Sequence, residues 1–99
     1  MPSSLRTFEE FDRLLAQARA EIDAMRVVEP DDGAIASVHR QLEALSGWTR
    51  GARCPSQAEK DQLNFGQIAS RELDTYPVAG ALYELASFVI YWQAPSTTV

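Results

Sequence analysis

The sequence predicts an all-α fold, a single-domain bundle of four main helices. Apolar residues recur at steps of three and four along most of the chain, which is the period of an amphipathic helix. Proline, glycine and acidic residues interrupt this pattern where helices should begin or end. With 99 residues, 45% of them hydrophobic and 23% charged, the chain has room for one core and the composition of a folded globular protein.

The first helix is predicted over residues 7–26. Thr7 and Glu10 have the spacing of a capping box, in which each side chain bonds the other residue's backbone N–H. Apolar residues then follow at helical spacing, namely Phe8, Phe11, Leu15, Ala18, Ile22 and Met25. Charged residues fill most other positions, so this helix should bury a narrow stripe and leave one face in water.

The second helix is predicted to begin after Pro30, with Asp31 and Asp32 at its start, where the helix dipole favours acids. Its apolar residues are Ile35, Val38, Leu42 and Leu45. Gly47 is the predicted C-terminal stop. We expect the first two helices to form an antiparallel hairpin, followed by a basic and aromatic loop.

Ser56 and Glu59 form a second capping-box signal and predict a third helix over residues 56–74. Gly66 lies inside it, at a cost of about 1 kcal/mol relative to alanine, which indicates a close backbone approach or a kink. Pro77 then predicts the start of a fourth helix over residues 77–92.

The fourth helix is apolar around more than half of its circumference. Such a helix must pack on two neighbours or on a second chain, so we expect either the central element of the bundle or a dimer surface. The helical domain is therefore predicted over residues 7–93, with flexible segments at residues 1–6 and 94–99.

The formal net charge of −5 makes nucleic acid an improbable partner, because the chain has the wrong sign for neutralising phosphates. A basic protein surface suits it better. No membrane association is expected, since the apolar run at residues 77–92 is shorter than the roughly 20 residues of a spanning helix and contains Glu84. The N-terminal residues do not resemble a secretory signal, which favours a cytoplasmic location.

Two residues could carry chemistry. His39 and Glu43 are spaced to meet on one helical turn, and Cys54 follows the basic Arg53. The lone histidine and lone cysteine give no metal-ligand pattern, and no glycine-rich phosphate loop is present. We therefore expect no enzyme activity, no metal and no cofactor, although a small enzyme using Cys54 or His39 stays an alternative.

Exposed acids could form a negative face that steers a basic partner, or they could be an ordinary solvated surface. These acids are Glu9, Glu10, Asp12, Asp31, Asp32, Glu59, Asp61, Glu72 and Asp74. Trp48 and Arg50 are residue types enriched at interface hot spots, although Trp48 could equally cover the core.

The segment Leu63-Asn64-Phe65-Gly66-Gln67-Ile68-Ala69-Ser70-Arg71-Glu72-Leu73-Asp74, with the following Pro77 and the helix around Leu82, carries a family resemblance. It resembles small all-helical immunity proteins of bacterial type VI secretion systems. The similarity extends weakly to residues 8–15 and to Gln41-Leu42. The best-known member of that family neutralises an effector toxin that hydrolyses NAD and NADP.

The resemblance implies a cytoplasmic inhibitor that binds a cognate effector toxin domain and occludes its active site. We expect six residues at the contact, namely Trp48, Arg50, Gln67, Arg71, Glu72 and Asp74. The carboxylates among them could occupy a cleft that is electropositive because it binds an anionic dinucleotide. A structural or adaptor module that forms a homodimer through the fourth helix is the alternative from another class.

Overall fold

The computed structural model describes residues 5–92, so most of the predicted flexible N-terminal segment and the whole predicted C-terminal tail lie outside the described residues. Its elements are α1 (Phe8–Val28), α2 (Gly33–Trp48), a 3₁₀ turn (Arg50–Ala52), α3 (Gln57–Lys60), α4 (Phe65–Glu72) and α5 (Val78–Tyr91). About 75% of this part of the chain is helical, and it contains no strand. The predicted all-α bundle is confirmed, with α1, α2, α4 and α5 as its main helices.

The main helices close into a ring around one core. Helix α1 contacts α2 and α5, and α4 contacts α5 and α2. Within residues 5–92, the core contains sixteen buried apolar residues. They are Phe11, Leu15, Ala18, Ile22, Ile35, Val38, Leu42, Leu45, Phe65, Ala69, Leu73, Val78, Ala79, Leu82, Leu85 and Val89. Helix α5 therefore packs on two neighbours, which is one of the two arrangements that its wide apolar arc predicts.

Both predicted capping boxes form. The Oγ1 atom of Thr7 accepts the Glu10 N–H at 3.2 Å, while the Glu10 carboxylate accepts the Thr7 N–H at 3.1 Å. Ser56 and Glu59 make the same reciprocal pair at the start of α3. These local signals are read correctly from sequence because each needs only residues three apart.

The start of α2 is also predicted correctly, but its end is not. The Asp32 carboxylate accepts the Ile35 N–H at 3.0 Å and caps the helix. Gly47 does not stop the helix, which continues through Trp48. Buried Thr49 ends it, and the Thr49 hydroxyl donates to the Leu45 carbonyl at 2.9 Å.

The predicted continuous helix over residues 56–74 is wrong. The chain leaves the helix between α3 and α4, at residues 61–64. The reason is a contact with α2, because the Asn64 N–H donates to the Gln41 side-chain oxygen at 2.7 Å. The Gln41 amide in turn donates to the Asn64 side-chain oxygen at 2.6 Å. This tertiary pair replaces the intrahelical bond that the Asn64 N–H would otherwise make.

Helices α1 and α2 form the predicted antiparallel hairpin. Arg19 pairs with Glu43 at 2.8 Å, and one turn further along α1 Asp23 lies 3.2 Å from His39. The α1 residue number increases while the α2 number decreases, as an antiparallel pair requires. His39 and Glu43 lie one turn apart on α2, and each has an ion-pair partner on α1.

Gly66 allows α4 and α5 to approach closely, as predicted. A Cβ atom at this position would lie 3.0 Å from the Cβ of Ala86. Non-bonded carbon atoms normally lie about 3.5–4.0 Å apart. The glycine therefore marks a point where the two helices pack closely.

Candidate protein-binding surfaces

One end of the bundle concentrates negative charge. The α1–α2 loop and the α4–α5 turn meet there, because the Tyr76 hydroxyl donates to the Glu29 carboxylate at 2.8 Å. This hydrogen bond raises the pKa of Tyr76. We call this end the acidic tip, and its carboxylates belong to Glu29, Asp31, Asp32, Glu72 and Asp74.

A surface groove connects the two parts of the acidic tip. Asp32 and Ala34 line it from the start of α2, while Ile68, Arg71 and Glu72 line it from α4. Carboxylates outnumber cations at the tip. The neighbouring cations are Arg26 at the end of α1 and Arg71 in the groove. The excess of negative charge would attract a positively charged protein surface.

Two valines protrude inside this acidic end. Val27 and Val28 are the last residues of α1, and they are 83% and 79% exposed. Val28 borders a groove that contains Tyr76, and Val27 borders another that contains Pro30. Exposed apolar side chains surrounded by polar groups are typical of protein interaction sites.

The structure brings three of the predicted contact residues to this end. Arg71 and Glu72 line the groove of the acidic tip, and Asp74 lies in the adjoining turn, two residues before Tyr76. Gln67 lies one helical turn before Arg71 and is exposed on α4. These four residues are therefore neighbours along one helix and the turn that follows it.

Trp48 and Arg50 lie at the opposite end of α2. The helix has 16 residues, which corresponds to a length of roughly 24 Å at 1.5 Å per residue. Trp48 is half-buried against the core, whereas Arg50 is exposed. The six predicted contact residues therefore form two separate groups. Trp48 also covers part of the core, which was the alternative interpretation of this residue.

The loop after Trp48 is fixed by an ion pair. Arg53 donates to the Trp48 carbonyl at 3.1 Å and to the Glu59 carboxylate at 2.9 Å. The hydrogen bonds from Arg53 hold the pKa of Glu59 below its ordinary value. The Arg53 side chain therefore has a structural role in holding this loop.

A second surface lies on α5 and was only partly foreseen from the sequence. Tyr83, Ile90 and Tyr91 are 40%, 66% and 59% exposed. Together with Gly80 and Ser87 they recur at helical steps along one side, which we call the α5 outer face. Glu84 borders this face and is half-buried. The signal in the sequence was the apolar arc, which is wider than two neighbouring helices can cover.

A small cavity adjoins the α5 outer face beside Ile90. Its volume is about 110 Å³. Its apolar lining comes from Leu63, Phe65, Gly66, Ala86, Val89 and Ile90, and Lys60, Asn64 and Gln67 complete it. A dry cavity of about 150 Å³ can hold benzene in another protein, so this one has room for a small apolar group.

The two candidate reactive residues have structural partners. His39 is half-buried and lies beside Asp23 on the α1–α2 surface. The Cys54 Sγ atom is 3.5 Å from the carbonyl oxygens of Pro55 and Trp92. Within residues 5–92, no three histidine, cysteine or acidic side chains are grouped so that they could hold a metal ion.

Comparison with known proteins adds no relative. No family model, curated protein or solved structure matches this chain. Among the helices of residues 5–92, none has both the length and the apolar character that crossing a bilayer requires.

Proposed function

We propose that the protein is a cytoplasmic immunity protein that binds a cognate bacterial effector toxin and occludes its active site with the acidic tip. The observation that carries this proposal is the pair of exposed valines, Val27 and Val28, among the carboxylates of that tip. The segment at residues 63–74 supplies the toxin class through its resemblance to type VI secretion immunity proteins. The expected target is an NAD(P)-hydrolysing domain.

The chemistry of the tip suits such a target. An enzyme that binds an anionic dinucleotide needs an electropositive cleft, and carboxylates can occupy the positions of phosphates there. Burying a valine side chain completely contributes about 1.5–3 kcal/mol. Apolar contact from the valines would therefore supply affinity, while the carboxylates would speed association and select a basic surface.

The tip is also ordered before it binds. The Tyr76–Glu29 hydrogen bond joins the loop to the turn, and Asp32 is held as the cap of α2. A preorganised surface loses less conformational entropy on binding than a flexible loop does. Tight inhibition of a toxin favours such a surface, because the conformational entropy lost on binding reduces the affinity.

The test is co-expression with the toxin domain encoded beside this protein, with cell survival, intracellular NAD(P) and co-purification as readouts. One tip variant replaces Val27 and Val28 with serine, and a second combines Glu72→Lys with Asp74→Lys. The matched control combines Glu9→Lys with Asp12→Lys, which makes the same charge change on exposed residues at the other end of α1. Circular dichroism verifies that each variant folds.

The proposal requires rescue with preserved NAD(P) by the wild type and the control, and loss of rescue by both tip variants. If the tip variants still form the complex, the contact lies elsewhere on the molecule. If the wild type rescues while the toxin alone leaves NAD(P) unchanged, the assigned toxin chemistry is wrong. Absence of both rescue and complex would reject the immunity function.

A further inference from the structure

We infer that the α5 outer face is a self-association surface and that its occupant is a second copy of this chain. This inference is independent of toxin binding, because it concerns a different surface. The face carries Tyr83, Ile90 and Tyr91, which lie in the middle and at the C-terminal end of α5. They are the large exposed apolar side chains of the described residues that lie outside the acidic tip.

The charge distribution favours a second copy over a basic partner. Each chain carries a net charge of −5, so two copies repel each other wherever their acidic surfaces meet. The α5 outer face presents hydroxyl, aromatic and aliphatic groups, with Glu84 at its border. It therefore offers little to a basic protein, and it is a place where two acidic copies can approach with little repulsion.

The pattern of side-chain sizes is self-complementary. Gly80 and Ser87 follow the middle of the face, and the large residues stand beside them. Ser87 lies four residues after Tyr83 and four before Tyr91. In an antiparallel pair of α5 helices centred on Ser87, Tyr83 of each copy faces the partner's Tyr91, so the same aromatic contact forms twice. The small Ser87 at the crossing allows the helix axes to come close.

The interface would be modest in size. One helix from each copy, with a few neighbouring residues, buries less than the roughly 800 Å² per partner of a standard interface. We therefore expect a weak, concentration-dependent dimer. Sedimentation velocity of the purified full chain, from about 10 µM to about 1 mM, covers the range in which such dimers form.

Two substitutions disturb this face without disturbing the fold. Ile90→Asp places a charge at a residue that is 66% exposed. Tyr91→Asp places a charge in the paired aromatic contact, at a residue that is 59% exposed. Each change occurs twice in the dimer and should weaken association at least about 100-fold, because an unpaired charge would have to leave water for an apolar contact.

Matched controls separate this surface from general effects of charge. Val28→Asp makes an equivalent apolar-to-acid change at an exposed residue outside α5, and Tyr91→Phe changes the same tyrosine without adding charge. The inference predicts a dimer in the wild type and in both controls, and monomers in Ile90→Asp and Tyr91→Asp. A wild type that stays monomeric at the highest concentration overturns it. A dimer that survives both charged substitutions overturns it equally, because the contact would then lie on another surface.

Discussion

Replacing Gly66 with alanine measures how closely α4 and α5 pack. The new methyl carbon would lie 3.0 Å from the Cβ atom of Ala86. Both atoms are attached directly to helix backbones, so no side-chain rotation can relieve the contact. The helices would have to separate by a few tenths of an ångström, and the buried residues around the crossing would lose contacts.

Two opposing terms determine the size of the effect. Alanine is favoured over glycine in a helix by about 0.8–1.0 kcal/mol. Overpacking a well-packed contact costs about 1–3 kcal/mol. Gly66→Ala should therefore lower the free energy of unfolding by roughly 0–2 kcal/mol. Gly80→Ala is the matched control, because its methyl group meets no atom within 4 Å and should keep the whole helical gain.

Urea unfolding followed by circular dichroism and tryptophan fluorescence gives both free energies, provided that the two signals change together. The difference between the variants should be about 1–3 kcal/mol, with Gly80→Ala the more stable. Adding Ala86→Gly to Gly66→Ala removes the opposing methyl group. The double variant should then be more stable than the sum of the single changes predicts. Equal stabilisation by both alanine variants would refute the close approach of α4 and α5.

Three further perturbations test the core, a helix cap and the ion pairs. Phe11→Ala should lower the free energy of unfolding in urea by about 3–5 kcal/mol, because the ring is fully buried and stacks on Phe88 at 4.7 Å. Asp32→Ala should cost about 1 kcal/mol in the same assay, whereas Asp31→Ala, at the exposed neighbouring position, should cost little. Hydrogen bonds from arginines hold the pKa values of Glu43 and Glu59 below the ordinary 4.5, so their contribution to stability is present above that pH and is lost as the pH falls through the folded-state values. In a pH series of urea midpoints, replacing both glutamates with glutamine should make this acid-side loss shallower, and an unchanged slope would contradict the assignment.

The elements that depend on local signals were predictable from the sequence. Helices α1 and α5 follow from the period of their apolar residues and from the Thr7 capping box and Pro77. The break at residues 61–64 was not predictable in this way. It depends on Gln41, which lies 23 positions from Asn64, and such a contact leaves no periodic trace in either segment.

The binding surfaces were predictable in part, for the same reason. Charge alone indicated Glu72 and Asp74, but the end of the bundle on which they lie depends on helix direction. Because α2 runs away from that end, Glu72 and Asp74 also lie about the length of α2 away from Trp48. Val27 and Val28 were not singled out, although their position in the sequence was informative. They follow the last residue of the apolar stripe of α1 and precede an acidic loop.

Val28→Lys distinguishes a binding surface from a structural one, because it should change stability and binding in opposite directions. Val28 is 79% exposed at the C-terminus of α1, so its replacement removes little core packing. A cation there interacts favourably with the helix dipole by about 0.3–1 kcal/mol, and it reduces repulsion among the carboxylates of the acidic tip. The free protein should therefore unfold at a higher urea concentration, while its affinity for the toxin falls. If the variant unfolds more easily instead, Val28 contributes to the fold, and its exposure is no argument for a binding role.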